Sequence, residues 1–281
     1  MTDSDAAGES WFAGIDPGDR EAAMPAIREG TADSPRKWPE IAVSSGFVDD
    51  ESDYYTELHE ATVRATREAV QERERADDQQ LKHSIRAMND CERVANELAE
   101  RVAEWAGSRR EDAGTGVGYA RRLAEEGDDG DDAALVSLAE RIRDLDDEAA
   151  ALRAHVERTA PEVAPNLSAL AGPVLAARLI ALAGGLKHLA RKPAGTIQVL
   201  GAEDALFAHL RGQAPSPKHG VIFVHEAIQG TAPEQRGSAA RALSGKLAIA
   251  ARVDHYTGDR KPELDAELEA RIERIQEREV E

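Results

Sequence analysis

The side chains best suited to bind an anion lie in a short polar loop, Pro217, Lys218, His219 and Gly220, which continues a Pro-Ser-Pro turn. Proline restricts the backbone, so such a loop loses little entropy when it binds a ligand. A lysine can pair with a phosphate and an imidazole can stack on an unpaired base, as in many complexes with RNA loops. The same residues are also typical of an exposed polar turn, and the charge around them decides between the two interpretations.

The net charge of the region around this loop is opposite in sign to that of the rest of the chain. Residues 164–258 contain ten lysines and arginines against five aspartates and glutamates, a net charge of +5 in a chain of net charge −19, so the remainder carries −24. A basic region in an acidic protein indicates an anionic partner at that region. The acidic excess elsewhere, with few lysines, resembles proteins of salt-accumulating halophiles and indicates adaptation to the solvent rather than an acidic substrate.

Two further sets of residues in this region have alternative interpretations. Leu206, Phe207 and Leu210 lie on overlapping faces of a predicted helix, where they form part of a core or cap a nucleic-acid stem. Basic side chains recur along a later helical segment, but at 100° per residue Arg241 lies about 140° from Arg236, so they form no single stripe. We expect some to contact phosphates and others to hold the fold, with Arg252 and Asp254 as a structural ion pair.

Enzyme motifs are not satisfied. Residues 244–247 read Ser-Gly-Lys-Leu and lack both the upstream glycine and the hydroxyl residue of a phosphate-binding loop. The glycines of residues 114–118 follow no strand and form no dinucleotide fingerprint. His219, His225 and Glu226 lack a second helix with matching ligands for a metal. We therefore predict no catalytic residues, no metal and no cofactor.

The elements that position these residues are predicted to be helices. Apolar residues recur at three- and four-residue steps between residues 57 and 105, and again between residues 135 and 156 before Pro161. A Gly- and charge-rich connector, residues 107–132, separates the two segments. They predict an antiparallel coiled-coil hairpin, used for dimerisation or packed only within one chain. The seam residues are Leu81, Ile85, Met88, Leu98, Val102, Leu135, Leu138, Ile142, Leu145 and Leu152.

The composition divides the chain into four predicted parts. Residues 1–56 concentrate the aromatic side chains and predict a small α/β or irregular docking unit, residues 57–163 form the hairpin, and residues 259–281 form a charged tail. Residues 164–258 predict helices near 167–190, 202–211 and 236–253, with an extended run at residues 221–224. No signal peptide and no sufficiently apolar span is recognised, so we expect a cytoplasmic protein.

Several runs, in order along residues 164–258, resemble the Nop domain. They are APNLSALAGPVLAARLIALAGGL from Ala164, KPAGTIQVLGAE from Lys192, KHGVIF from Lys218, ARAL from Ala240, then Lys246 and AARVD from Ala250. The run IRAMNDCERVANELAERVAEW resembles the first coiled-coil helix of the same family, and residues 133–160 resemble the second. This family contains the archaeal and nucleolar core proteins of box C/D ribonucleoproteins.

The resemblance implies a mainly α protein, with a coiled-coil hairpin followed by an all-α Nop domain. It implies a non-catalytic scaffold that binds kink-turn guide RNA together with a ribosomal-type kink-turn-binding protein. It further implies a homodimer through the coiled coil, and an N-terminal region that holds the methyltransferase fibrillarin for 2′-O-methylation of rRNA or tRNA. The alternative is a Nop-type RNA-binding module that recruits no methyltransferase, an interpretation motivated by the short segment before the hairpin.

The resemblance also implies roles for particular residues. The loop from Pro217 to Gly220 should meet the kinked RNA, the helix after Gly201 should face an RNA stem or the guide–target duplex, and the later basic residues should contact phosphates or the bound protein. The family pattern continues Gly-Ala-Glu with Lys-Ala-Leu-Phe-Arg, whereas this chain has Asp204 and Ala208 at the two basic positions. The implied RNA-binding residues are Gly201, Ala202, Glu203, Leu206, Phe207, Leu210, Arg211, Pro217, Lys218, His219, Gly220, Arg236, Arg241 and Lys246.

Overall fold

The computed structural model describes residues 10–31, 34, 36–127 and 132–277. Residues 1–9, 32, 33 and 35 of the predicted N-terminal unit, residues 128–131 of the connector and the last four of the tail lie outside them. The chain divides into two compact units, residues 1–76 and residues 77–281. The described residues contain helices and no strand, which confirms the predicted mainly α fold.

The described part of the first unit is built from helices, which corrects the prediction of an α/β or irregular region. Its helices are α1 (Arg20–Glu29), α2 (Trp38–Ser44) and α3 (Glu51–Arg75). The carboxylate of Asp50 accepts a hydrogen bond from the Asp53 amide at 2.9 Å and caps α3. Aromatic rings that are irregularly spaced in the sequence meet in one cluster, where Phe12 and Phe47 stack with centroids 4.9 Å apart.

The second unit begins with three helices, α4 (Asp77–Gly107), α5 (Gly116–Glu126) and α6 (Ala133–Val163). The continuous helix predicted over residues 57–105 is two helices, since Ala76 adopts an extended conformation between α3 and α4. The predicted boundary at residues 56/57 therefore falls inside α3. Helix α6 also continues through Pro161 for two further residues. The four-part division of the chain stays a prediction.

The connector is not only a loop. It contains α5, whose Tyr119, Ala120, Leu123 and Ala124 are buried against α4 and α6. Asp132 accepts hydrogen bonds from two arginines near the end of α4, which fixes the approach to α6. The composition misled the prediction because glycines and charges occupy the exposed positions of a short amphipathic helix.

The seam residues pack within one chain. Six of them are buried, namely Leu81, Ile85, Met88, Val102, Leu135 and Ile142. The other four are partly buried and pack against the same clusters, namely Leu98, Leu138, Leu145 and Leu152. This is the packing of an intramolecular hairpin, and dimerisation stays a prediction.

The remaining helices form a bundle around the main core. They are α7 (Pro165–Ala171), α8 (Pro173–Ala183), α9 (Leu186–Ala190), α10 (Ala194–Gln198), α11 (Glu203–Leu210), α12 (Glu226–Gln229), α13 (Arg236–Tyr256) and α14 (Glu263–Gln276). The single helix predicted near residues 167–190 is three, because Gly172 and Gly184 adopt φ values of +77° and +88° and end the helical path. Val221–Val224 form a 3₁₀ helix rather than the predicted extended run.

The predicted charged tail is part of this bundle. Helix α14 buries Leu264, Leu268, Ile272 and Ile275 in the main core, because these residues recur on one face between the charges. Among the described residues, no single helix is long and apolar enough to cross a bilayer. Only α7 and α8 taken together meet that test, and they are bent by 117° at their junction.

A buried polar cluster joins three parts of the bundle. Asp254, at the end of α13, accepts hydrogen bonds from the backbone amides of Asn166 and Leu167 at 2.9 and 2.8 Å, and so caps α7. The Asn166 side chain bonds in turn to the backbone of Asp259 and Lys261, before α14. The predicted ion pair of Asp254 with Arg252 is wrong.

Arg252 forms a hydrogen bond to a different helix. Its Nε donates to the carbonyl oxygen of Ala190 at 3.2 Å, at the end of α9. At about 100° per residue, side chains two positions apart on a helix point about 160° away from each other, so Arg252 and Asp254 meet different neighbours.

Candidate nucleic-acid interface

The loop containing Lys218 and His219 is held in one conformation by main-chain contacts. The Gly220 amide donates to the carbonyl of Gln198 at 2.8 Å, and the Gln198 side chain donates back to the carbonyl of Lys218 at 2.7 Å. A Cβ added at Gly220 would lie 2.1 Å from the carbonyl oxygen of Leu200, so glycine is required at this close approach. A binding loop that is already ordered loses less entropy on binding.

His219 belongs to a stack of three side chains, which we call the His219 stack: His219, Phe223 and Arg236. The imidazole lies on the Phe223 ring with centroids 4.3 Å apart and planes 17° from parallel. The Arg236 guanidinium lies 5.6 Å from the centroid of the same ring, within the range of a cation–π contact. Its Nε donates to the Thr231 carbonyl at 3.1 Å, which holds it there.

The surroundings of the imidazole favour its neutral form. Partial burial lowers the pKa of His219, because it disfavours the charged form, and the positive charges of Arg236 and Lys218 lower the pKa further. A neutral, half-buried ring backed by a second aromatic ring is a suitable surface for an RNA base, while the exposed Lys218 can meet a phosphate.

Helix α11 presents an apolar surface without contributing to the core. None of its residues is buried, and the exposed fractions of Phe207 and Leu210 are 55% and 71%. The alternative that this face is core is therefore wrong for these two residues, while Leu206 is partly buried. Gly201, at φ +81°, donates its amide to the Glu203 carboxylate at 2.9 Å, which directs the chain into the helix. Arg211 is exposed at its end.

The other predicted basic residues do not join the His219 stack. Lys246 forms an ion pair with Glu267 of α14. Arg241 is exposed, and no carboxylate of the described residues pairs with its guanidinium. Of the three basic residues predicted on α13, only Arg236 belongs to the His219 stack, and RNA contacts by Arg241 and Lys246 stay predictions.

The sequence did not indicate that Phe223 and Gln198 support the loop. Phe223 lay in a run interpreted as extended, and an extended run would not bring it beneath His219. The signal available was the four-residue spacing of His219 and Phe223, which suits a turn that folds back. Gln198 carried no signal, because its contact depends on the path of the chain twenty residues later.

His225 is committed to the fold. One of its ring nitrogens, Nε2, lies 2.8 Å from the carbonyl oxygen of Leu170, and the other accepts the Ala227 amide at 3.1 Å as the cap of α12. Both nitrogens therefore have partners, and a metal would have to displace them. Across the described residues, no group of three or more metal-binding side chains comes together.

Comparisons of this chain with known proteins agree on one family. A family model described as "Nop: snoRNA binding domain, fibrillarin" matches residues 48–277. A NOP5 family protein of Methanocaldococcus jannaschii is 36% identical over 269 residues, covering 82% of this chain and 65% of that protein. Nucleolar protein 58 of Schizosaccharomyces pombe is 40% identical over 139 residues, covering 49% of this chain and 27% of that protein. This chain thus spans less than two thirds of the length of either relative.

A solved structure shares the fold. The crystal structure of a fibrillarin/Nop5p complex aligns with a TM-score of 0.55 at 24% identity, over 95% of this chain and 98% of the other.

Proposed function

The chain belongs to the Nop family, and from that membership and the His219 stack we propose that it is a non-catalytic scaffold of a box C/D ribonucleoprotein. It binds kink-turn guide RNA together with a kink-turn-binding protein. It positions fibrillarin for RNA-guided 2′-O-methylation of rRNA or tRNA in the cytoplasm, and the methyl donor belongs to fibrillarin.

The observation that carries this proposal is the fixed loop with its stacked imidazole. Lys218 is placed beside a neutral aromatic platform, in the region of the chain that carries a net charge of +5. Unpaired bases of a kinked RNA need a stacking surface, and their phosphates need a nearby cation. The exposed Phe207 and Leu210 of α11 supply a second apolar surface, which we assign to the end of an RNA stem or to the guide–target duplex.

Fibrillarin is assigned to the first unit. Its aromatic cluster gives that unit a packed core of its own, and Tyr55 next to the cluster is 58% exposed. An exposed aromatic beside a rigid core is a common anchor in protein interfaces. If the unit binds no methyltransferase, the chain is an RNA-binding module of the same family.

A reconstitution tests the proposal. The chain is mixed at high KCl with the kink-turn protein, a box C/D guide RNA, fibrillarin and labelled methyl donor, and methylation of a matched target is measured. We expect methylation only when this chain is present. An assembled RNA complex without methylation, together with no capture of fibrillarin by the chain, would support the RNA-binding module instead.

The residue-level control uses two histidines. His219→Ala removes the imidazole of the stack, whereas His155→Ala removes a partly buried imidazole from the second half of α6. We expect only His219→Ala to weaken assembly, by about tenfold, since loss of one base stack costs about 1–3 kcal/mol. Equal affinities of the two variants would contradict the assignment of the loop.

The co-bound protein is expected to supply much of the affinity. Asp204 and Ala208 replace the two basic residues of the family pattern on α11, and Lys246 is engaged by Glu267. Fewer free cations mean less counterion release from bare RNA. We expect weak binding to the guide RNA alone and a sharp increase with the kink-turn protein in a gel-shift titration. Equal affinity with and without that protein would refute this.

A further inference from the structure

A groove of about 520 Å³ lies where the root of the hairpin meets the helical bundle. Helix α4 contributes Arg86 and Asn89, helix α8 contributes Arg178 and Leu182, and the fixed loop contributes Gly220. We call it the hairpin-root groove. It is continuous with the loop that carries Lys218 and His219, because Gly220 belongs to both.

The walls of the groove are tied to one another. Nη2 of Arg86 donates to the carbonyl of Ala181 at 3.3 Å, and Nη2 of Arg178 donates to Oδ1 of Asn89 at 3.2 Å. Nearby, Asp78 accepts the Leu186 amide at 2.8 Å, which joins the start of α4 to α9. The guanidiniums are therefore placed before any ligand arrives, which lowers the entropy cost of binding.

The groove carries net positive charge. No carboxylate of the described residues forms an ion pair with Arg86. Glu92 lies 4.0 Å from Arg178, but it also pairs with Arg153 at 2.9 Å, so its charge is shared between two guanidiniums. A guanidinium with unused N–H groups favours a phosphate, which it can bind with two hydrogen bonds.

One wall is apolar and one edge is open because of a glycine. Leu182 is 47% exposed, although it is the kind of side chain that a core helix normally buries. A Cβ at Gly201 would lie 3.4 Å from Leu182 Cδ1 and 3.3 Å from the Cβ of Val221, so a larger residue there would fill this edge. Cationic groups opposite an apolar wall match a nucleotide, with its phosphate on one side and its ribose or base on the other.

We propose that the hairpin-root groove binds the backbone of the RNA strand that continues from the Lys218–His219 loop. Arg86 and Arg178 bind a phosphate, and Leu182 packs against the adjacent ribose or base. This rests on the proposed function, and it extends the RNA site from the bundle onto α4 of the hairpin. The charge of the groove and its continuity with the loop favour RNA over a protein segment as the occupant.

The test compares two arginines of the same helix in the full chain. Arg86→Gln removes a groove cation whose polar contact is a single backbone carbonyl. Arg101→Gln removes an exposed cation further along α4, where it pairs with Glu104. Affinity for the guide RNA bound to the kink-turn protein is measured over a range of KCl concentrations. We expect Arg86→Gln to weaken binding about tenfold and to reduce the slope of log affinity against log salt by about one, while Arg101→Gln changes neither.

Phosphate ethylation interference locates the contact. One ethylated phosphate should weaken binding to the unmodified chain and have no further effect on Arg86→Gln. Equal affinities and slopes for the two variants would overturn the groove assignment, provided that His219→Ala still weakens binding. Loss of kink-turn-protein binding in the absence of RNA would overturn it in favour of a protein occupant. If the unmodified chain binds no RNA complex at all, the proposed function itself fails.

Discussion

The Phe223 ring contacts both the His219 imidazole and the Arg236 guanidinium, and the three side chains contribute differently to the stack. The phenyl ring stacks on the His219 imidazole, the Arg236 guanidinium lies over the same phenyl ring, and the imidazole is the group that we propose meets a base. The same proximity makes the charge on His219 unfavourable. The stack therefore couples the protonation of His219 to the position of Arg236.

This coupling predicts a titration. We expect the pKa of His219, followed by NMR, to lie below its ordinary value of about 6.5 and to rise towards that value in Arg236→Gln, because a repelling charge is removed. Arg241→Gln, on the same helix and outside the stack, should leave the pKa unchanged. A pKa that does not respond to Arg236→Gln would contradict the stack.

The sign of the effect on stability follows from the lowered pKa. When the pH falls below the ordinary value, the unfolded chain takes up the proton on His219 before the folded chain does. The free energy of unfolding therefore decreases as the pH falls from the ordinary pKa of histidine to the lower pKa of His219 in the folded chain. At higher pH His219 has no such effect on stability. Replacing His219 by Gln should remove this part of the pH dependence of thermal unfolding.

At the scale of single residues, the sequence predicted the binding loop but not the side chains that hold it in place. Lys218, His219 and Gly220 stand together in the chain, so their chemistry is visible as a motif. Phe223 and Gln198 reach His219 and Lys218 only through the 3₁₀ helix and the long-range backbone contacts, which no local pattern encodes. The exposure of Phe207 was likewise undetermined, because an apolar side chain on a short helix is more often part of a core.

Helices α7, α13 and α14 are joined by the buried pair Asn166 and Asp254. One carboxylate caps α7, and one amide holds the turn that leads into α14. These hydrogen bonds are polar and directional, so they fix the relative positions of the three helices more closely than apolar packing alone does.

Asp254→Ala should destabilise the chain by about 3 kcal/mol, because the first turn of α7 loses its cap and the Asn166 amide loses a partner in a buried setting. Thermal and urea unfolding measure this. Asp259→Ala, at an exposed side chain in the following turn, should change stability by less than about 0.5 kcal/mol. A loss below about 1 kcal/mol for Asp254→Ala would show that the cluster is dispensable.

The sequence predicted the helices but placed several of their ends wrongly. The repeat of apolar residues was strong enough to identify both arms of the hairpin, but the prediction carried one helix near 167–190 through Gly172 and Gly184. What local pattern did not reveal was whether those glycines adopt positive φ, and whether the apolar stripe of α14 finds a core to cover it. The conformation of the glycines and the burial of the α14 stripe depend on tertiary packing.

Charge is segregated over the whole molecule, with the basic region in residues 164–258 and acidic residues over the rest. Salt acts on these two parts in opposite directions. Screening reduces repulsion among the carboxylates and favours the folded chain, while it also weakens attraction between the basic region and the RNA that we propose as its partner.

We therefore expect the melting temperature of the isolated chain to rise by about 5 °C between about 0.1 and about 2 M KCl, while RNA affinity falls over the same range. The control is a chain with Glu125→Gln and Glu148→Gln, at two exposed carboxylates that form no ion pair in the described residues. Its melting temperature should rise less with salt. A melting temperature that falls with added KCl would show that ion pairs outweigh repulsion.

Helix α4 belongs to two cores at once. Its first half packs Leu81, Ile85 and Met88 into the bundle, and its second half packs Ala99 and Val102 into the hairpin. No glycine or proline interrupts it between these halves, and a helix advances about 1.5 Å per residue. The uninterrupted helix therefore sets a fixed distance between the two cores. A group bound at the far end of the hairpin is held about 30 Å from the hairpin-root groove, because about twenty residues of α4 separate the two places. Distances along the RNA strand that we propose for that groove can therefore be measured against the protein.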